Sequence, residues 1–146
     1  MAINTLNQII CSGGLFLARD TKRFLFLLRA QGKTADTWSI VGGKKEPNDL
    51  TPFEALQREI TEEIGKAPPL EKIIPLELFT SNDQNFQYNT YIVIVEKEFI
   101  PILNNEHSGY AWCSYKKWPK PLHQGLKNSF NNRVTKAKID LLLELI

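Results

Sequence analysis

Residues 42–66 read GGKKEPNDLTPFEALQREITEEIGK, and the order of residue types predicts a polar turn followed by a helix. Thr51 is a natural N-cap, Pro52 suits the first helical position, and Glu54 stands three residues after the cap. Together they make a capping box with proline where a missing N–H costs nothing. Nothing between Pro52 and Ile64 breaks a helix, and Gly65 is a C-terminal stop.

On this helix Glu59, Glu62 and Glu63 fall at i, i+3 and i+4 and share one face. Leu56, Ile60 and Ile64 run along the neighbouring face and should be buried. Carboxylates one turn apart repel by about 0.2–0.5 kcal/mol per pair, and Arg58, within reach of Glu62, offsets only part of this. A hard divalent cation would neutralise the rest, because carboxylate oxygens are what Mg²⁺ prefers. The plainer alternative is an acidic face left in water. The glycine pair, turn and cap at fixed distances ahead of the carboxylates favour the metal reading.

The same stretch resembles the signature of the Nudix hydrolases, G-x5-E-x7-R-E-U-x-E-E-x-G-U with U apolar. Gly43 supplies the first glycine, and Arg58-Glu59-Ile60-Thr61-Glu62-Glu63-Ile64-Gly65 supplies the second half without a gap. Three positions depart from it. Asp49 stands where the family has Glu, eight residues rather than seven separate it from Arg58, and Lys66 replaces the last apolar residue. The extra residue is read as Leu50, inserted in the loop, so that the distance from cap to carboxylates is undisturbed. The resemblance implies an α/β/α sandwich, of the α/β (α+β) class, with a mixed β-sheet between helices. It implies Glu59, Glu62 and Glu63 as metal ligands and catalytic groups, joined by the Gly42 carbonyl as a ligand. Arg58 then orients a glutamate.

Upstream, Gln8 to Ala18 reads as a strand whose Gly13-Gly14 pair suggests a bulge or a close backbone approach. Arg23 to Arg29 (RFLFLLR) reads as a second strand buried on both faces, after a turn at Asp20-Thr21-Lys22. Arg29 at its exit is read as facing solvent, with a substrate phosphate as the other possibility. Thr37 to Val41 reads as a third strand delivering the chain to Gly42-Gly43.

Downstream, Ala67-Pro68-Pro69 forces an extended exit, and Leu70 to Leu78 reads as one or two strands interrupted by Pro75. Phe86 to Lys97 alternates most clearly: Phe86, Tyr88, Thr90, Ile92 and Ile94 on one face, Tyr91, Val93 and Val95 on the other. Phe86, Tyr88 and Tyr91 are candidates to stack on a base, core packing being the commoner fate of such residues. A polar loop carrying Glu106 and His107 leads to a strand from Tyr110 to Ser114. The segment EHSGYAW resembles one in Nudix enzymes that cleave diadenosine tetraphosphate, which use the Glu as an extra metal ligand or base, a role that passes to Glu106. His107 is read as a positioning, packing or substrate-contacting residue, since a metal reading has little behind it in an oxygen-rich site. Trp118 to Gly125 is a proline-punctuated loop whose Lys116, Lys117, Lys120 and His123 either contact phosphates or keep it soluble. From about Asn132 a helix is expected, with Val134, Ala137, Leu141, Leu142 and Leu145 packing on the sheet.

The 146 residues are read as one domain, residues 1–146, 42% hydrophobic and 23% charged. A net charge of +2 makes no case for nucleic acid or a membrane, but suits an anionic substrate. Cys11 and Cys113 lie in no zinc spacing and read as reduced core thiols, and the N-terminus lacks a signal peptide, so a cytoplasmic protein is expected. The resemblance implies Mg²⁺-dependent (Mn²⁺ possible) hydrolysis of a phosphoanhydride bond in a nucleoside diphosphate derivative. A nucleoside triphosphate or dinucleoside polyphosphate is favoured. The alternative is a catalytically silent Nudix-fold nucleotide-binding or regulatory module. Oligomeric state is not legible.

Overall fold

The computed structural model describes residues 8–146. The chain runs β1 (Ile9–Ala18), β2 (Arg23–Arg29), β3 (Trp38–Ser39), β4 (Val41–Lys44), α1 (Pro52–Ile64), β5 (Lys72–Thr80), β6 (Phe86–Val95), β7 (His107–Ser114), α2 (Gln124–Asn131) and α3 (Arg133–Leu145). The seven strands form one mixed sheet. Its path is β3-β2-β1-β6-β5, with β4 added to β1 and β7 to β2.

β1 is the hub. It pairs in parallel with β6 along its whole length, Ile9↔Phe86 through Ala18↔Val95. On its other edge the partner changes: Cys11 to Gly14 pair with β4, whereas Leu17 and Ala18 pair with β2. The sheet therefore forks beside Leu15 and Phe16, and Gly42-Gly43 lie on the β4 branch. Gly14 meets the expectation of a close approach, because a Cβ there would sit 3.0 Å from Leu56 Cδ1 and 3.2 Å from Val93 Cγ2. Glycine lets α1 settle against the hub strand.

Each sheet face carries its own core. On one, Phe16, Leu25, Leu27, Val41, Val93 and Val95 pack under Leu56, Ile60 and Ile64 of α1. These three helix residues are 0, 5 and 0% exposed, and burying each is worth about 1.5–3 kcal/mol. On the other, Leu15, Leu17, Phe24, Phe26, Ile92 and Ile94 pack under Leu126 and Phe130 of α2 and Ile139 of α3. Trp118 stacks on Phe130 with centroids 4.5 Å apart. This is the expected sandwich, with the expected division of β6 between faces.

The expected capping of α1 is present. Thr51 accepts the Glu54 N–H at 3.1 Å, and Glu54 Oε2 accepts from the Leu50 N–H at 2.6 Å, one residue earlier than in the usual box. Gly65 closes the helix at φ 72°, its N–H donating to Thr61. The φ there lies in the region only glycine adopts without strain.

Four local expectations are corrected. The third strand is two short ones, broken at Ile40, and the second runs through the glycines to Lys44. β7 starts at His107 rather than Tyr110. α2 was not anticipated at all: two buried residues, Leu126 and Phe130, and a His123 cap give it little signature. On α3 the expected stripe reaches the core only at Leu142, and Ala137 is exposed. Val134, Leu141 and Leu145 are 63, 57 and 74% exposed, while Thr135 and Ile139 face the sheet. Glu77, at a register shift in β5, accepts from the Ser129 and Thr135 hydroxyls and pins this face down. Among the described residues no helix is long and apolar enough to cross a membrane.

Candidate functional site

The site grows from the contact between α1 and β4. α1 carries Glu59 and Glu63 inward, 7 and 3% exposed, and leaves Glu62 half in solvent. The Gly42 N–H donates to Glu63 Oε1 at 2.6 Å. Gly43 lies against Glu59: a Cβ there would come 2.5 Å from Oε1 and 2.7 Å from Cδ. The glycine pair is thus the floor on which the two buried carboxylates rest.

Arg58 is the clamp. Its Nε and Nη2 donate to Asp49, its Nη2 also to the Lys44 carbonyl, and its Nη1 to Glu59 at 3.1 Å and Glu62 at 3.0 Å. Such charged, forked hydrogen bonds fix geometry as well as charge. Asp49 also accepts the Glu46 N–H, and its hydrogen bonds to Arg58 hold its carboxyl below the usual range. Leu50, the extra residue, is 81% exposed and stays outside this network.

Glu106 reaches the site from the β7 side. Its N–H donates to Asn104 Oδ1 at 2.9 Å, and Asn104 Nδ2 donates to the Glu62 carbonyl at 2.9 Å. Its carbonyl accepts from the Ala30 N–H. The loop is therefore fastened to the end of α1 on one side and to the exit of β2 on the other. One carboxylate oxygen each of Glu63 and Glu106 and a ring nitrogen of His107 lie within 4.8 Å of one another.

The electrostatics are those of too much negative charge in too little water. Burial pushes the Glu63 carboxyl up, the Gly42 N–H opposes the rise, and Glu59 and Glu106 add to it, leaving it at about 9. Burial raises Glu59 as well, against the pull of Arg58. A desolvated carboxylate beside others holds a proton unless something positive replaces it. The oxygen-rich donor set and its unmet charge fit a divalent cation.

The remaining candidates separate. Arg29, expected to face solvent, is half-buried, and its buried Nε has no hydrogen-bond partner among the described residues. It stands across from His107 in the β2–β7 ladder. Tyr88 lies on the α2/α3 face, its hydroxyl close against the Gly13 backbone. Burial raises its pKa, and the Cys11 thiol and the Glu63 and Glu59 charges add to this while Arg29 opposes it. Tyr91 lies on the opposite face, edge-on to Phe53 at 6.2 Å, with burial alone acting on its hydroxyl. Tyr88 and Tyr91 therefore do not flank one base. His107 was expected as a positioning or substrate-contacting residue; β7 begins at it and buries it beside Glu63.

The model of the family described as NUDIX domain matches residues 12–132. Among solved structures, a MutT NUDIX hydrolase from Burkholderia pseudomallei is similar at 25% identity and TM-score 0.68, over 86% of this chain and 98% of that one. A Nudix hydrolase from M. smegmatis is similar at 20% identity and TM-score 0.69, over 88% of this chain and 84% of that one. A MutT/nudix family protein from Enterococcus faecalis is similar at 18% identity and TM-score 0.62, over 72% of this chain. The match spans less than half, 43%, of that longer protein. No curated protein matches the chain.

Proposed function

The chain belongs to the Nudix family of hydrolases, and on that premise we propose that residues 1–146 act as one domain that hydrolyses a phosphoanhydride bond in a nucleoside diphosphate derivative. The observation that carries this is the buried pair Glu59 and Glu63, seated on Gly42-Gly43 and clamped by Arg58. The substrate we favour is a nucleoside triphosphate or dinucleoside polyphosphate, supported by the EHSGYAW segment that carries Glu106. Mg²⁺ is the proposed cofactor, with Mn²⁺ as a substitute, held by Glu59, Glu62, Glu63, Glu106 and the Gly42 carbonyl. Bound there, the ions would neutralise the phosphoryl oxygens and lower the pKa of an attacking water.

The chain's own groups divide the remaining work. Arg58 keeps Glu59 and Glu62 from rotating away from each other. The Gly42 N–H fixes one Glu63 oxygen and leaves the other, Oε2, to face the cation. Glu106, exposed on its loop, can take a proton from water and pass it to bulk solvent. Arg29, whose buried Nε has no hydrogen-bond partner among the described residues, would meet a substrate phosphate. Tyr88 would border the nucleoside. Unpaired Cys11 and Cys113 support a reducing, cytoplasmic location.

The test is a panel of nucleoside triphosphates, dinucleoside polyphosphates and nucleotide sugars with Mg²⁺, with products identified to show which phosphorus is attacked. Turnover of one class that Glu63→Gln abolishes supports the enzyme. Tight binding without turnover of any compound would instead support a silent nucleotide-binding module.

A further inference from the structure

His107 is the one member of the cluster with Glu63 and Glu106 that the hydrolytic reading leaves without a task. Its side chain is 2% exposed, and Nδ1 faces Glu63 Oε2 at 3.8 Å. Nδ1 has no hydrogen-bond partner among the described residues. Buried polar atoms are almost always paired, and 3.8 Å is too long for a hydrogen bond. It is, however, a natural spacing for two atoms around one cation. With metal–ligand bonds of about 2.1 Å, neighbouring ligands stand roughly 3 Å apart and opposite ones roughly 4.2 Å.

The backbone commits the ring to this place. His107 pairs with Arg29 just past the register shift at Leu28/Arg29. The preceding residue is held by Ala30 and by Asn104, which is itself tied to the end of α1. A ring fixed by two elements, buried, unpartnered and aimed at two carboxylates, is a preorganised nitrogen donor.

We propose that His107 Nδ1 is a metal ligand alongside Glu63 and Glu106, giving this site a preference for imidazole-binding divalent ions such as Co²⁺ over Mg²⁺. The inference rests on the reading that these carboxylates hold a cation. Its chemistry is that Mg²⁺ demands oxygen and sheds water reluctantly, whereas imidazole nitrogen suits the later transition metals.

Two measurements decide it. In metal-stripped wild-type protein loaded with one equivalent of Mn²⁺, pulsed electron paramagnetic resonance should show coupling to a directly bound histidine nitrogen. The coupling should change isotope pattern on ¹⁵N-histidine labelling. In calorimetric titrations, His107→Gln should weaken Co²⁺ binding by about tenfold or more while leaving Mg²⁺ affinity within about twofold. Absence of nitrogen coupling in the wild type would overturn the proposal. So would an equal loss of affinity for both ions, which would make His107 a packing residue. Should His107→Gln fail to fold, the wild-type resonance experiment decides alone. A nitrogen coupling in a protein that hydrolyses nothing would keep the ligand and sink the hydrolase. Hydrolysis with no nitrogen coupling would do the reverse.

Discussion

Gly42 and Glu63 are joined by a 2.6 Å hydrogen bond, from the backbone N–H of the first to Oε1 of the second, across 21 residues of chain. It ties the last turn of α1 to the strand that enters the loop. A glutamine at position 63 can still accept that N–H, so the fold should survive Glu63→Gln. The charge that a cation needs is gone, and kcat should fall on the order of a thousandfold or more. Steady-state kinetics beside circular dichroism check both halves. A folded variant with near-normal kcat would remove Glu63 from the chemistry.

The two glycines should fail in different ways. A Cβ on Gly42 would strike the Ser12 carbonyl and the Gly13 Cα, both backbone, so Gly42→Ala should lower thermal stability. The nearest atoms to a Cβ on Gly43 are those of the Glu59 carboxylate, which Arg58 holds. Gly43→Ala should therefore melt near the wild-type temperature yet bind divalent ions more weakly, by about ten- to a hundredfold. Melting curves and calorimetry on both variants check the contrast; identical behaviour would contradict it.

Asp49 and Leu50 should behave as one unit. The shorter acid reaches Arg58 from a loop that is one residue longer than in the Nudix pattern, with Leu50 pushed into solvent. Asp49→Glu alone lengthens the reach, and deleting Leu50 alone shortens the loop, so each should reduce activity. Together they should restore much of it. The double-mutant cycle on kcat/KM measures this coupling directly, and simple additivity would dismiss it.

In the metal-free protein, the Glu63 carboxyl keeps its proton to about pH 9, whereas in the unfolded chain it loses it near the ordinary value of 4.5. Between these limits the native state binds more protons, so this group's contribution to stability declines as pH rises through the window. Burial shifts Glu59 in the same direction. Asp49, held low by Arg58, acts oppositely, its contribution being lost only on acidification below the ordinary carboxylate range. The melting temperature of stripped protein should therefore drop from neutral to alkaline pH, and saturating Mg²⁺ should flatten the drop. A flat profile without metal would show that Glu63 is already ionised.

Local signals in the sequence were the ones that carried over to the structure. The α1 cap, its apolar face and its glycine stop need only neighbours within the helix, and they are where the residues put them. The alternation of β6 reads out its two cores because each face is buried by a different helix layer. α3 misled because two stripes compete on it. The buried one contains Thr135, whose hydroxyl is satisfied by Glu77 from a distant strand, and so does not look apolar. Within the helix, the nearness of Glu59, Glu62 and Glu63 and the reach of Arg58 to Glu62 were legible from spacing, whereas their roles rest on the family resemblance. The seating of His107 beside Glu63 was not, because it depends on the β2–β7 register and on Asn104 reaching back to α1.

Whether the buried carboxylates hold a divalent cation is tested most directly by calorimetric titration of metal-stripped protein with Mg²⁺ and Mn²⁺, set against the Glu59→Gln/Glu63→Gln double variant. Wild-type protein should bind both ions saturably, and the double variant should lose this binding with its circular dichroism unchanged. Wild-type protein that takes up neither ion at millimolar concentration, or a double variant that binds as well as the wild type, would contradict cation binding there.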